Sequence, residues 1–217
     1  MSKPMTQLRT CFIGDSITNG TGDGTMLGWP GHLCAAEVRA GHDLTYYDLG
    51  IRGDTSADLL PRWQAEVTAR LPAVLNCAIV FNFGLNDATE QQDGIRVHLG
   101  DSIKNARAML SAAKAMHPTL WVGPTPIDDA RQPVTGATGA RFDLRNERVK
   151  EYSAAYRELA VDLAVPYLDL FTPLVEDDAF MASVTSGDAL HPTRKGYEII
   201  AGRVVSWAGW QGLMKGK

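Results

Sequence analysis

"CFIGDSITNG", residues 11–20, opens as a buried strand and then breaks into Gly14, Asp15, Ser16 and Thr18. A chain that turns polar after an apolar run is leaving a sheet, and the spacing that follows predicts the start of a helix. Ser16 at that junction has two readings. It is a helix cap, since Ser, Thr and Asp supply acceptors to free N–H groups, or it is a nucleophile held at the rim of a sheet.

Working outward, the same strand pattern recurs. "LRTCFIG", "LTYYDLG", "CAIVFNFG", "LWVGPTP" and "VPYLDLF" are short runs rich in branched or aromatic residues, each ended by Gly, Pro or a polar turn. Helical patterns separate them. "GWPGHLCAAEVRA" stops at Gly41, "SADLLPRWQAEVTARL" carries a proline near its start, and "IRVHLGDSIKNARAMLSAAKAMH" halts before Pro118. The longest helix is expected from Phe142 to Leu163, and the last from Thr193 to about Trp207. Alternating strands and helices with right-handed crossovers predict an α/β fold: a three-layer α/β/α sandwich around a five-stranded parallel sheet. In such sheets ligands gather outside the carboxyl ends of the strands.

Bulk properties narrow the partners. The 217 residues, 45% of them hydrophobic, suit one domain over 1–217 with a single core. A net charge of -4, spread along the chain, offers no basic stripe, so nucleic acid is not expected as a partner. The N-terminus "MSKPMTQLRT" has no apolar signal region, and no segment reads as an integral membrane span, so a cytoplasmic location is expected. Cys11, Cys34 and Cys77 are widely spaced, without a C-x-x-C pair, and read as buried free thiols.

Polar residues concentrate where three strands end: Gly14 to Ser16, Gly50 to Asp54, and Gly84, Asn86 and Asp87. Acyl transfer needs a nucleophile, a base, a group to orient the base, and donors aimed at an oxyanion. Asp188 and His191 in "GDALHPT" stand at a spacing that lets the carboxylate accept the Nδ1 proton of the imidazole, leaving Nε2 free. Alone, Asp188 also reads as a cap for the last helix, His191 as a surface residue stiffened by Pro192, and Asn86 as a turn former. Asp15 and Asp87 are expected to brace loops. The segment 126–141, "PIDDARQPVTGATGAR", is long for a connection and is expected to overhang the rim and select substrate. Asp128, Asp129 and Arg131 would meet a polar alcohol portion there, with Trp29 as a further substrate contact; the alternative is a solvated loop of no consequence.

"GDSIT", "GIRGDTSADLL", "GLND" and "DALHP", in that order, resemble the signature blocks of the GDSL, or SGNH, hydrolase family of esterases and lipases. The resemblance runs from Gly14 to Pro192, with Trp29 and Pro30 also resembling the family sequence after the first block. Ile17 stands where the family name has Leu. The resemblance implies a flavodoxin-like SGNH hydrolase fold, Ser16 as nucleophile, and His191 as base with Asp188 behind it. It implies an oxyanion hole from the N–H groups of Ser16 and Gly53 and the side-chain amide of Asn86. Gly50 competes with Gly53 on composition, and the match on "RGDT" selects Gly53. The implied function is cleavage of a small-molecule carboxylic ester through an acyl-enzyme, with no metal and no cofactor. Two alternatives stay open: a binding module of the same fold without turnover, and a metal-dependent phosphoesterase, for which "GD" and "GLND" supply few of the ligands a two-metal site needs.

Overall fold

Each apolar run becomes a strand of one sheet. In the computed structural model, which describes residues 5–92, 94–136 and 139–215, β1 spans Gln7–Gly14, β2 Asp43–Gly50, β3 Cys77–Asn82, β4 Thr119–Val122 and β5 Tyr167–Leu168. All neighbours pair in parallel, in the order β2-β1-β3-β4-β5. β1 and β3 are central, and every residue of β3 is buried. That is why "CAIVFN" is apolar without alternation: both of its faces are covered.

The helices are α1 (Ser16–Asn19), α2 (Gly28–Arg39), α3 (Ser56–Arg70), α4 (Leu99–Met116), α5 (Asn146–Asp162), α6 (Phe171–Val175), α7 (Asp178–Thr185), α8 (Arg194–Ser206) and α9 (Ala208–Met214). Aromatic contacts assign the layers. On one face Phe12 of β1 meets Trp29 of α2 at 5.1 Å and Trp210 of α9 at 6.2 Å between ring centroids. Ile13 and its register partner Phe81 point to the other face, where Phe81 meets Trp63 of α3 at 5.6 Å. Burying each such side chain contributes about 1.5–3 kcal/mol, so the two faces hold the sheet between helices.

Several boundaries differ from the sequence reading. α4 starts at Leu99 because Gly94–Ile95 instead pairs antiparallel with Glu90–Gln91 in a first small hairpin. α5 starts at Asn146, not Phe142, and is shorter than the 18-residue α4. Arg141–Phe142 is taken by a second hairpin with Val134–Thr135, and Asp143 bridges Glu90 of the first. The chain also continues past α8 into α9, where "WAGWQGLM" packs on its own core: Trp210 is fully buried and its indole N–H donates to Glu37 Oε1 at 2.8 Å. Among the described residues, no helix is long and apolar enough to cross a membrane.

Candidate active site

At the strand-to-helix turn the Ser16 hydroxyl is not the helix cap. α1 is capped by Asp15, whose Oδ1 accepts the backbone N–H of Ile17 at 2.8 Å. The capping role is filled, and the Ser16 hydroxyl is left for His191, whose Nε2 lies 2.7 Å from Ser16 Oγ. Gly14 makes the turn possible. A Cβ there would stand 2.1 Å from the carbonyl oxygen of Asn82 and 2.2 Å from Thr18 Oγ1, so only glycine lets the ends of β1 and β3 close behind Ser16.

His191 is held from its other side. Asp188 Oδ2 lies 2.7 Å from His191 Nδ1, and Asp188 Oδ1 accepts the backbone N–H groups of His191 at 2.7 Å and Leu190 at 3.0 Å. An ionised carboxylate only accepts, so Nδ1 carries the imidazole proton and Nε2 presents a lone pair to the serine hydroxyl. Burial pushes the Asp188 carboxyl up. The hydrogen bonds from the His191 ring and from the two backbone N–H groups outweigh that push and hold it well below the usual carboxylate range. The turn pays a backbone cost, since Ala189 is held at φ 74 without being glycine.

Two further loops reach the same rim. Asp54 N–H donates to the Ile51 carbonyl at 3.1 Å, closing a turn whose third residue, Gly53, has φ 86. That backbone suits a type II turn and strains any residue with a Cβ, although a Cβ at Gly53 would meet nothing within 4 Å. Asn86 brings its side-chain amide to the pocket: Nδ2 donates to Asp54 O at 3.0 Å and lies 3.3 Å from Asp15 Oδ2, while Oδ1 accepts from Arg96 Nη1 at 3.2 Å. Beneath it, the buried Asp87 accepts the N–H of Ser56 at 2.7 Å and the hydroxyl of Ser102 at 2.5 Å. Burial pushes the Asp87 carboxyl up despite these bonds.

Ser16, Gly53, Asn86, Asp188 and His191 thus share one cavity of about 360 Å3. Val134, Phe142, Leu144 and Leu190 give it an apolar wall, beside the polar Arg52, Thr89 and Thr135. The second hairpin supplies the first two, so the long segment after β4 does overhang the rim. A larger cavity of about 660 Å3, lined by Glu90, Arg141 and Asp143, contains neither Ser16 nor His191. Residues 137 and 138, within the expected selector segment, lie outside the described residues. Among the described residues, no group of three or more His, Cys, Asp or Glu side chains is placed to hold a metal ion.

Three of the expected substrate contacts are placed elsewhere. Trp29 is fully buried and its Nε1–H donates to Asn82 Oδ1 at 3.1 Å, so it belongs to the core. Asp129 Oδ1 accepts the backbone N–H of Asn146 at 3.0 Å, an acceptor for the first turn of α5. Arg131 Nη1 donates to the carbonyls of Thr185 at 2.6 Å and Gly187 at 3.1 Å, tying its loop to the turn that carries Asp188. Two arginines at the site carry no sequence motif. Arg62, on α3, donates to the carbonyls of Gly14 and Leu49 at 3.1 and 3.0 Å and to Asp54 Oδ2 at 2.8 Å, joining the ends of β1 and β2 to the Gly53 turn. Arg96 follows the first hairpin and reaches Gly53 O at 2.7 Å as well as Asn86.

Residues 12–199 match the GDSL-like lipase/acylhydrolase family. A human protein named isoamyl acetate-hydrolyzing esterase 1 homolog is 27% identical over 204 residues, covering 88% of this chain and 77% of its own. Among solved structures, a lipase/acylhydrolase from Enterococcus faecalis superposes with a TM-score of 0.72 at 23% identity, covering 93% of this chain and 94% of that one. An acetylxylan esterase from Geobacillus stearothermophilus superposes with a TM-score of 0.67 at 18% identity, covering 96% and 98%. Both structures share the fold of this chain.

Proposed function

The chain belongs to the GDSL-like lipase/acylhydrolase family, and from that premise we propose that it is a serine esterase that cleaves carboxylic esters through an acyl-enzyme. The observation that carries the reading is the continuous hydrogen-bonded chain from Asp188 through His191 to Ser16, with two links of 2.7 Å. Nε2 of His191 takes the hydroxyl proton as Ser16 Oγ attacks the ester carbonyl carbon. The carbonyl electron pair moves onto oxygen, and the N–H groups of Ser16 and Gly53 and the amide of Asn86 stabilise it. The tetrahedral intermediate collapses, the bond to the alcohol oxygen breaks, and His191 returns the proton to that oxygen. Water then attacks the acyl-serine by the same steps in reverse order, releasing the acid and restoring Ser16. Asp188 stays ionised throughout and stabilises the imidazolium that forms.

The amide of Asn86 suits its role in this reading. One hydrogen is committed to Asp54 O at 3.0 Å, while the other has only the 3.3 Å contact with Asp15, which an incoming oxyanion can replace. The apolar wall favours an ester with a compact apolar portion, and the human relative named for isoamyl acetate hydrolysis supports substrates of that size. Turnover of short-chain and medium-chain alcohol esters by the purified protein tests the reading. Ser16→Ala is expected to abolish hydrolysis with an unchanged circular dichroism spectrum. If neither wild type nor variant hydrolyses any activated ester, the protein is a binding module of the same fold.

A further inference from the structure

We infer that Arg96 is a positioning residue that sets both outer donors of the oxyanion hole. A single guanidinium holds the Gly53 carbonyl through Nη2 at 2.7 Å and the Asn86 side-chain oxygen through Nη1 at 3.2 Å. The inference rests on the reading of Gly53 and Asn86 as oxyanion donors given above.

The chemistry of arginine makes this contact directional. A guanidinium has five N–H donors and no acceptor, so it accepts the Asn86 side chain in only one orientation. Turned by 180°, Asn86 would set its NH2 group against the guanidinium and its oxygen against the carboxylate of Asp15 and the carbonyl of Asp54. In the orientation observed, those two acceptors face Nδ2. Arg96 therefore acts with the Asp54 carbonyl and Asp15 to make Asn86 offer an N–H, and not a repelling oxygen, to developing negative charge, and it is the one partner that fixes the amide by its oxygen.

Gly53 depends on Arg96 for a different reason. Open space surrounds the position where its Cβ would be, so no neighbour there fixes the left-handed conformation. Its left-handed backbone is kept by hydrogen bonds at either side of the peptide: Asp54 N–H to Ile51 O, and Arg96 to Gly53 O. Without the second, that peptide is held by the Asp54 N–H bond alone, and the N–H of Gly53, one peptide earlier in the same turn, is aimed less firmly. Arg96 is itself well placed to serve as an anchor. Its backbone N–H donates to Thr89 O at 2.9 Å, continuing the first hairpin, and the next residue, Val97, donates to Asp87 O at 3.3 Å. The hairpin thus hangs from the loop that carries Asn86, and its arginine reaches across to the loop that carries Gly53.

The experiment is a double-mutant cycle of Arg96→Met with Asn86→Ala, with Arg96→Lys as the conservative variant and Ser16→Ala as the reference for the reading itself, using one activated acetate ester. Loss of one oxyanion donor costs about 10²–10³ in kcat, so Arg96→Met is expected to lower kcat by roughly 10–100-fold with KM changed less than about threefold. Lysine reaches one oxygen only and is expected to restore part of the loss. In the Asn86→Ala background, removing Arg96 is expected to cost less than it does alone, because the Asn86 half of what it positions has gone while the Gly53 half remains. Wild-type kcat in Arg96→Met, the same fold-loss in both backgrounds, or a change confined to KM each overturns the inference. Should Arg96→Met not fold, the same cycle run with Arg96→Lys decides it by the same criteria. If Asn86→Ala or Ser16→Ala turns over at the wild-type rate, the reading of the site falls, whatever Arg96 does.

Discussion

Asp15 Oδ2 lies 3.3 Å from Asn86 Nδ2, so the residue beside Ser16 touches the Asn86 amide while its other oxygen caps α1. Burial pushes this carboxyl up to about 7, against the pull of the Ile17 N–H and of His191, with Asp87 and Asp54 adding to the push. An acid whose folded value is raised binds a proton in the folded state that the unfolded chain has already released. Its contribution to stability therefore declines as pH rises from the ordinary 3.8 through about 7.

The first prediction follows from that sign. In Asp15→Asn the ionisation is gone, while a side-chain oxygen remains to cap Ile17. The difference in Tm between variant and wild type is expected to move in favour of the variant as pH is raised from about 5 to about 8. A difference that is flat with pH, read by thermal melts in matched buffers, would show that Asp15 does not titrate in this range.

Asp188 has the opposite sign. Its folded value is depressed, so the stability it contributes is present above the ordinary carboxylate range and is lost only as pH falls through that lower value. Its side chain is 58% exposed, and solvent screening keeps this contribution small. Asp188→Asn is therefore expected to leave the melting curve near neutral pH almost unmoved while lowering kcat by about 10²–10⁴, since the imidazole loses its acceptor at Nδ1. Paired melts and initial rates separate the two effects.

Arg131 was expected from the sequence to touch substrate, and its bonds to Thr185 O and Gly187 O make it a brace for the turn bearing Asp188. Arg131→Ala is expected to lower kcat by the same modest factor for every ester in a chain-length series. A change in preference among the esters would return Arg131 to the substrate.

Selectivity is expected from the apolar wall instead. Phe142 and Val134 come from the second hairpin and face the cavity that holds Ser16. Phe142→Ala enlarges that cavity, and since one methylene in an apolar pocket is worth about 1–3 kcal/mol, the ratio of kcat/KM for hexanoate over acetate esters is expected to rise several-fold. An unchanged ratio would place the acyl chain elsewhere.

Much of this could be read from residues alone, because strand cores and polar strand ends leave local signatures. β3 is apolar because both faces are covered, and "GDSIT" and "DALHP" bring together at one rim the groups their chemistry suggested. The late starts of α4 and α5 were hidden because residues 94–95 and 141–142 take hairpin partners from other segments, overriding their helical periodicity. Trp29 is a core residue because of an acceptor on Asn82, 53 positions away in sequence, which spacing does not reveal. Arg62 and Arg96 escaped for the same reason. Each is an isolated arginine in an unremarkable stretch, and its role appears only when the carbonyls of Gly14, Leu49 and Gly53 stand beside it.

The central claim is that Ser16 carries the acyl group, and covalent capture tests it most directly. The protein treated with a fluorophosphonate, digested and analysed by mass spectrometry is expected to carry one adduct, on the peptide containing Ser16, with ester hydrolysis lost in proportion. His191→Ala is expected to slow the labelling, and Ser16→Ala to abolish it. An adduct on another residue accompanying the loss of activity, or full hydrolysis by protein fully labelled at Ser16, would contradict the account.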